Sequence, residues 1–172
     1  MEQDISRWIR DIPDFPEKGI LFRDITPALL DPVPFKSICD SLAERYRGRK
    51  IDKIAGIEAR GFFFASVLAY TLGIGMIPLR KPGKLPWKTI SRSYSLEYGE
   101  ATVEMHEDAV SEGERVLLVD DLLATGGTAA AAAALIESMG GVIEEIAFVI
   151  ELSELGGRAQ LAERPVFSLL TY

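Results

Sequence analysis

The run Val116–Thr128 (VLLVDDLLATGGT) holds the densest set of groups in the chain able to bind and polarise a ligand. An apolar stretch with strand character ends in two carboxylates, Asp120 and Asp121. After a short apolar spacer come Ala124, Thr125, Gly126, Gly127 and Thr128, and then a helical segment. Glycines at such a turn let successive backbone N–H groups converge on an anion. The helix start adds partial positive charge, worth about 0.3–1 kcal/mol for an anion placed there. Thr125 and Thr128 offer hydroxyls to the same group. The spacing is neither a Walker loop, since no GK[ST] follows, nor GxGxxG. Two carboxylates beside an anion cradle make chemical sense once the ligand carries vicinal hydroxyls, which donate to them. A ribose 5-phosphate meets both demands, with its phosphate on 124–128 and its 2- and 3-hydroxyls on Asp120 and Asp121. A lone Asp pair or a lone GGT would read as a turn device; the whole string favours the sugar phosphate.

Charge is distributed to match. The net charge is −7, which argues against a broad basic face for nucleic acid. Yet no acid occurs between Glu58 and Glu97, where Arg60, Arg80, Lys81, Lys84, Lys88 and Arg92 all fall. An acidic chain with one acid-free basic stretch is suited to a small anion. With one cysteine, Cys39, there is no internal disulfide, and the thiol is expected to be buried in a helix of a cytoplasmic protein. A single histidine, His106, and no cysteine cluster leave little room for a His- or Cys-based metal site. No apolar run approaches the roughly 20 residues a membrane helix needs, and Met1–Asp11 lacks the apolar centre of a secretory signal.

The elements that must position these groups follow from periodicity. Glu2–Ile12 reads as a short helix and Pro13–Pro34 as ordered loop. Pro34–Tyr46 has helical spacing, Lys53–Ile57 is a short apolar strand, and Gly61–Leu72 is an apolar helix stopped at Gly73. Ile74–Leu79 is a strand, Lys81–Thr89 a loop, and Ser91–Leu96 with Glu100–Met105 a hairpin. Arg115–Val119 is a strand, Thr128–Met139 an alanine-rich close-packed helix, and Val142–Ile150 and Val166–Leu170 are further strands. The alternation implies an α/β fold in one domain, 1–172, with a parallel sheet covered on both faces.

With these residues in place, Val116–Thr128 resembles the phosphoribosyl diphosphate signature of the type I phosphoribosyltransferases. PDFPEKGILFRDITP (Pro13–Pro27), GIEARGFFF (Gly56–Phe64), PLRKPGKLP (Pro78–Pro86), YSLEYG (Tyr94–Gly99) and FSLLTY (Phe167–Tyr172) resemble the adenine-specific branch of that family, in order along nearly the whole chain. The resemblance implies a mostly parallel twisted sheet flanked by helices, with an N-terminal hood segment (1–33) and a β-hairpin lid (80–98). It implies the purine-salvage reaction of adenine with phosphoribosyl diphosphate to AMP and diphosphate, with Mg²⁺ held through substrate and water rather than by direct residue ligands. It also implies a homodimer acting on small molecules, with no nucleic-acid or membrane partner.

Roles carry over at matching positions. Glu58, Ala59 and Arg60 would form a diphosphate loop, with the Glu58–Ala59 peptide cis. Some family members have serine where Ala59 stands, so only a main-chain role transfers there. Arg80, Lys81 and Lys84 match a diphosphate-binding basic loop; Lys88 and Arg92 are not assigned to it. Leu21 would meet the adenine edge through its main chain, Phe22 would lie on the ring and Arg23 would help hold the site. A main-chain acceptor facing the 6-amino group rejects 6-oxopurines, and sites of that kind discriminate by roughly 10⁴–10⁵. Glu97 would hold N7 of the base and take up the proton. Rival readings are transfer to a 6-oxopurine and a non-catalytic sensor of phosphoribosyl diphosphate.

Overall fold

The computed structural model describes residues 5–95 and 100–172. The chain divides into two compact units, Met1–Tyr46 and Arg47–Tyr172. No helix among the described residues is long and apolar enough to cross a membrane.

In the first unit a 3₁₀ turn, Ile5–Trp8, precedes β1 (Arg10–Pro13), which pairs antiparallel with β2 (Leu21–Asp24). The helix expected over Glu2–Ile12 is therefore replaced, among the described residues, by a 3₁₀ turn and a strand. The reason is long-range pairing. Arg10 lies opposite Asp24 and bonds it at 2.6 Å, and Arg23 opposite Asp11 forms a second ion pair. These cross-strand contacts outweigh local helical spacing. Helix α1 (Thr26–Leu30) also lies within the segment expected to be loop, and the Thr26 N–H donates to Asp24 Oδ1 at 2.9 Å. Helix α2 (Pro32–Tyr46) buries Ile38, Cys39, Leu42 and Tyr46. Burial pushes the Cys39 thiol up to about 11, so it stays protonated.

In the second unit β3 (Lys53–Ile57), α3 (Gly61–Leu72) and β4 (Gly75–Leu79) form one βαβ unit. A hairpin of β5 (Thr89–Ser95) and β6 (Glu100–His106) comes next. Then β7 (Arg115–Leu123), α4 (Gly127–Ser138) and β8 (Val142–Glu151) form a second unit, and β9 (Val166–Thr171) ends the sheet. All five sheet strands run parallel in the order β4-β3-β7-β8-β9. From the adjacent strands β3 and β7 the chain leaves in opposite directions, to β4 on one side and β8 on the other. Such crossovers are right-handed, which sets α3 and α4 on opposite faces. It also makes the β3/β7 boundary the switch point where an open α/β sheet binds ligands.

Strand β7 runs four residues beyond the expected end at Val119, because β8 keeps pairing with it: Asp120 faces Phe148, Leu122 faces Ile150 and Leu123 faces Glu151. Asp120 and Asp121 thus lie in the sheet rather than in a loop after it. One hydrophobic cluster joins the sheet (Ile57, Leu79, Leu118, Phe148), α4 (Ala132, Ala133, Leu135, Ile136) and the hairpin (Val103, Met105). The alanine run of α4 is close-packed as expected, since small side chains let the helix lie tight on its neighbours.

Phe148 is 1% exposed at the middle of this cluster. Phe148→Ala should lower unfolding free energy by about 3–5 kcal/mol, read from urea denaturation. A loss under about 1 kcal/mol would contradict the packing described, because it would require the site to collapse around the missing ring.

Candidate functional site

The site lies at the switch point of the second unit. Residues 58–60 turn from β3 into α3, and Gly61 opens the helix. A Cβ at Gly61 would meet the Val119 carbonyl oxygen at 2.8 Å and Asp120 Oδ1 at 2.9 Å. Only glycine lets the start of α3 lie this close to β7. The result is that Arg60 Nε donates to Asp121 Oδ2 as an ion pair. The Glu58–Ala59 peptide is cis, as the resemblance implies.

Glu58 organises the other side. Its Oε2 accepts from Arg80 Nε at 3.1 Å and from the Lys81 N–H at 3.0 Å, and its Oε1 accepts from Arg80 Nη2 at 3.3 Å. Arg80 Nη1 donates to the Lys84 carbonyl at 2.9 Å. A cavity of about 390 Å³ opens here, lined by Glu58, Ala59, Arg60, Lys81, Tyr94, Asp120, Asp121 and Thr128 among others. The residues expected to hold ribose hydroxyls, diphosphate and part of the phosphate loop therefore share one space. Arg80 borders a smaller adjoining recess with Glu58, Tyr94 and Thr128. Lys84 enters the geometry through its carbonyl.

The loop Ala124–Thr128, expected to take a phosphate, links the end of β7 to α4. Gly126 is left-handed, φ 86°, and precedes the first residue of α4. Its α-carbon lies so close to the Gly157 carbonyl that no side chain fits between, and Gly157 in turn packs on the Ala124 carbonyl. Gly157 belongs to a pair of 3₁₀ turns, Ser153–Leu155 and Gly157–Leu161, which sequence periodicity does not reveal. This segment is anchored by Arg158, whose Nε and Nη2 donate to Glu151 at 2.6 and 2.7 Å and whose Nη1 donates to the Val166 carbonyl at 3.1 Å. The Leu152 N–H adds a bond to the Leu123 carbonyl at 2.9 Å. Arg158 and Ser168 hold the buried Glu151 carboxyl below its ordinary range, against an opposing effect of burial. On the other flank the Thr128 hydroxyl donates to the Tyr94 hydroxyl at 3.0 Å, tying strand β5 to the loop.

Tyr94 lines the cavity, and Glu151 and Arg158 brace the segment packed on the loop; none of the three is among the residues singled out in the sequence. The Gly156-Gly157 pair was the available signal for the last two, and YSLEYG for the first. The adenine candidates lie in the first unit. Leu21 is half-exposed at the start of β2, Phe22 meets Phe15 edge-on with ring centroids 5.1 Å apart, and Arg23 is paired with Asp11. Glu97 lies outside the described residues.

The acids differ in their state. Burial first, and then the neighbouring charge of Asp121, raise the Asp120 carboxyl well above its ordinary value. For Glu58 the Lys81 N–H leads and Arg80 adds, and together they lower it against burial. Among the described residues no cluster of three His, Cys, Asp or Glu side chains is arranged to hold a metal. The donors present, Asp120 and Asp121, fit a hard cation reached through water and ligand oxygens. A raised carboxyl stabilises the fold in its protonated form, so its contribution is full below the unfolded value and is lost as pH rises through the folded one. Relative to Asp120→Asn, the native chain should therefore lose stability as pH rises from about 4 towards neutrality. Denaturation curves across that range check this, and the opposite slope would rule out a raised Asp120 carboxyl.

Comparison with known proteins agrees with this geometry. Residues 28–163 match the phosphoribosyl transferase domain. An adenine phosphoribosyltransferase of Roseiflexus sp. (strain RS-1) is 55% identical over 172 residues, covering 100% of both chains. The crystal structure of adenine phosphoribosyltransferase from Thermoanaerobacter pseudethanolicus superposes with a TM-score of 0.96 at 52% identity over 100% of both chains. That of the Saccharomyces cerevisiae enzyme, complexed with an imino-altritol bisphosphate and adenine, gives 0.92 at 42% identity over 98% of each. With the Asp pair and the turn 58–60 lining one switch-point cavity, and with these matches along its length, the chain belongs to the phosphoribosyl transferase family, in its adenine phosphoribosyltransferase branch.

Proposed function

We infer that this chain transfers the 5-phosphoribosyl group of phosphoribosyl diphosphate to adenine, giving AMP and diphosphate in purine salvage. The observation that carries the reading is the convergence of Asp120, Asp121, Arg60, Lys81 and Thr128 on one cavity of about 390 Å³, in a chain 55% identical throughout to an adenine phosphoribosyltransferase.

In this reading the N–H groups and hydroxyls of Ala124, Thr125, Gly126, Gly127 and Thr128 take the 5-phosphate, and Asp120 and Asp121 take the 2- and 3-hydroxyls. The Glu58-Ala59 main chain with Arg60, Arg80, Lys81 and Lys84 takes the diphosphate. Arg60 would exchange Asp121 for the diphosphate as the sugar arrives, freeing that carboxylate for the hydroxyls. Arg80 is held in orientation by Glu58, so little side-chain freedom is lost on binding. Displacing diphosphate builds positive charge on the ribose and negative charge on the leaving group, and the basic groups stabilise the latter. Asp120 and Asp121 would help hold Mg²⁺ through water, alongside substrate oxygens, and the ion would supply further neutralisation of the diphosphate. Leu21 would present a main-chain acceptor to the 6-amino group, Phe22 a ring face, and Arg23 support. Glu97 would hold the N7–H tautomer and accept the proton while N9 attacks. Residues 1–33 are assigned as hood and 80–98 as a lid that excludes water. A cytoplasmic homodimer without nucleic-acid or membrane partners completes the assignment; the net charge of −7 supports the absence of a nucleic-acid partner.

The test is nucleotide formation from phosphoribosyl diphosphate and Mg²⁺ with adenine, hypoxanthine, guanine and xanthine. AMP from adenine alone is expected. Turnover of an oxopurine instead would overturn the roles of Leu21–Arg23, and tight binding of the sugar diphosphate without turnover would point to a sensor. Glu97→Gln should lower kcat roughly 10²–10⁴-fold and leave KM for phosphoribosyl diphosphate nearly unchanged. The Arg158 anchor makes a separate prediction. Arg158→Ala leaves Glu151 buried without its ion-pair partner and loosens the turn behind the cradle. It should raise KM for phosphoribosyl diphosphate about tenfold while KM for adenine stays put; equal changes in both would mean a general loss of fold.

A further inference from the structure

The geometry assigns Arg92 to the 5-phosphate end of the site, as a binding residue of this chain additional to the loop 124–128; the assignment rests on the function proposed above. Arg92 stands opposite Val103 in the β5–β6 ladder, and Val103 is 4% exposed in the core. Residues directly opposed in an antiparallel pair share a face. Ile90 and Tyr94, two residues to either side on β5, pack on the same core cluster. Arg92 therefore shares the side of the hairpin that carries these apolar residues, with its own side chain exposed.

Two residues along a strand is about 6.8 Å, within the span of an arginine side chain, and at that distance Tyr94 is bonded to Thr128 of the cradle. Between the hairpin and α4 lies a cavity of about 730 Å³, lined by Arg92, Thr125, Gly127, Gln160 and Arg164 among others. It shares Thr125 and Gly127 with the cradle and has no carboxylate in its lining among the described residues. Arg164 is already matched by Glu137 at 2.6 and 2.7 Å. Arg60 and Arg80, at the diphosphate end, each have a carboxylate partner. For Arg92 no ion pair is found among the described residues, and the acid-free cavity it faces opens on a helix start that favours an anion. The chemistry that completes this arrangement is a phosphate monoester.

Ribose 5-phosphate and inorganic diphosphate, titrated separately into the full-length protein by calorimetry, separate the two ends. Arg92→Ala should weaken ribose 5-phosphate about tenfold and leave diphosphate unchanged. Arg92→Lys should restore part of the loss, since a lysine keeps the charge without the fork. The KM for phosphoribosyl diphosphate should rise in step, at constant KM for adenine. Unchanged ribose 5-phosphate affinity, or an equal loss for diphosphate, would overturn the assignment. Native protein that binds neither probe would instead remove the functional reading beneath it.

Discussion

The site depends on one steric constraint, the contact of the first residue of α3 with β7. Gly61 sits where any side chain would strike the Val119 carbonyl and the Asp120 carboxyl. Because nothing intervenes, the turn after β3 and the acidic end of β7 form a single wall. The Arg60–Asp121 pair follows from that proximity. The parallel pairing of β3 with β7, from Lys53–Val116 to Gly56–Val119, sets the register that makes the contact possible. A second glycine contact repeats the device behind the loop 124–128. There Gly126 and Gly157 approach backbone to backbone, and the Glu151–Arg158 pair holds the rear segment in place.

Charge at the switch point is balanced in advance. Arg60 is set against Asp121, and Arg80 against Glu58. Guanidinium groups gathered at the switch point would otherwise repel one another. Local carboxylates remove that repulsion and fix the direction of each fork. The same acids then limit affinity, because a ligand must compete with them. Asp120 balances differently. Burial and its neighbour Asp121 raise its pKa, so the pair avoids two full charges side by side. A cation or a set of hydroxyl donors arriving at the pair relieves the same repulsion, which links occupancy of the site to the protonation of Asp120.

Much of this was legible in the residues, and the limits have physical causes. Lys53–Ile57 and Gly61–Leu72 coincide with β3 and α3 because buried apolar runs bounded by glycine carry unambiguous local signals. The acidic pair and the glycine loop read together because their chemistry is compressed into nearly consecutive residues, and the structure sets Asp120, Asp121 and Thr128 on one cavity. What could not be read was non-local. The segment before Pro13 has helical spacing, yet pairing of Arg10 with Asp24 makes it a strand. The extension of β7 through Asp120 and Asp121 is dictated by β8, about thirty residues downstream. The turns at Ser153–Leu161 have no periodicity at all, and they matter only because Gly157 meets Gly126 in space.

The distribution of roles along the chain follows from this split between local and non-local order. Groups assigned to the phosphates and ribose, Asp120, Asp121 and the loop 124–128, stand at or just beyond the end of one strand of the parallel sheet. Groups assigned to the base, Leu21–Arg23, stand on a two-stranded hairpin in a separate compact unit. An isolated hairpin is marginal without further support; here Arg10–Asp24, Asp11–Arg23 and the Phe15–Phe22 contact supply it. In the proposed function the sheet would hold what is transferred, and the N-terminal unit would select what receives it. In a family whose members share a phosphoribosyl donor, that division lets base specificity change without disturbing the sugar-phosphate machinery.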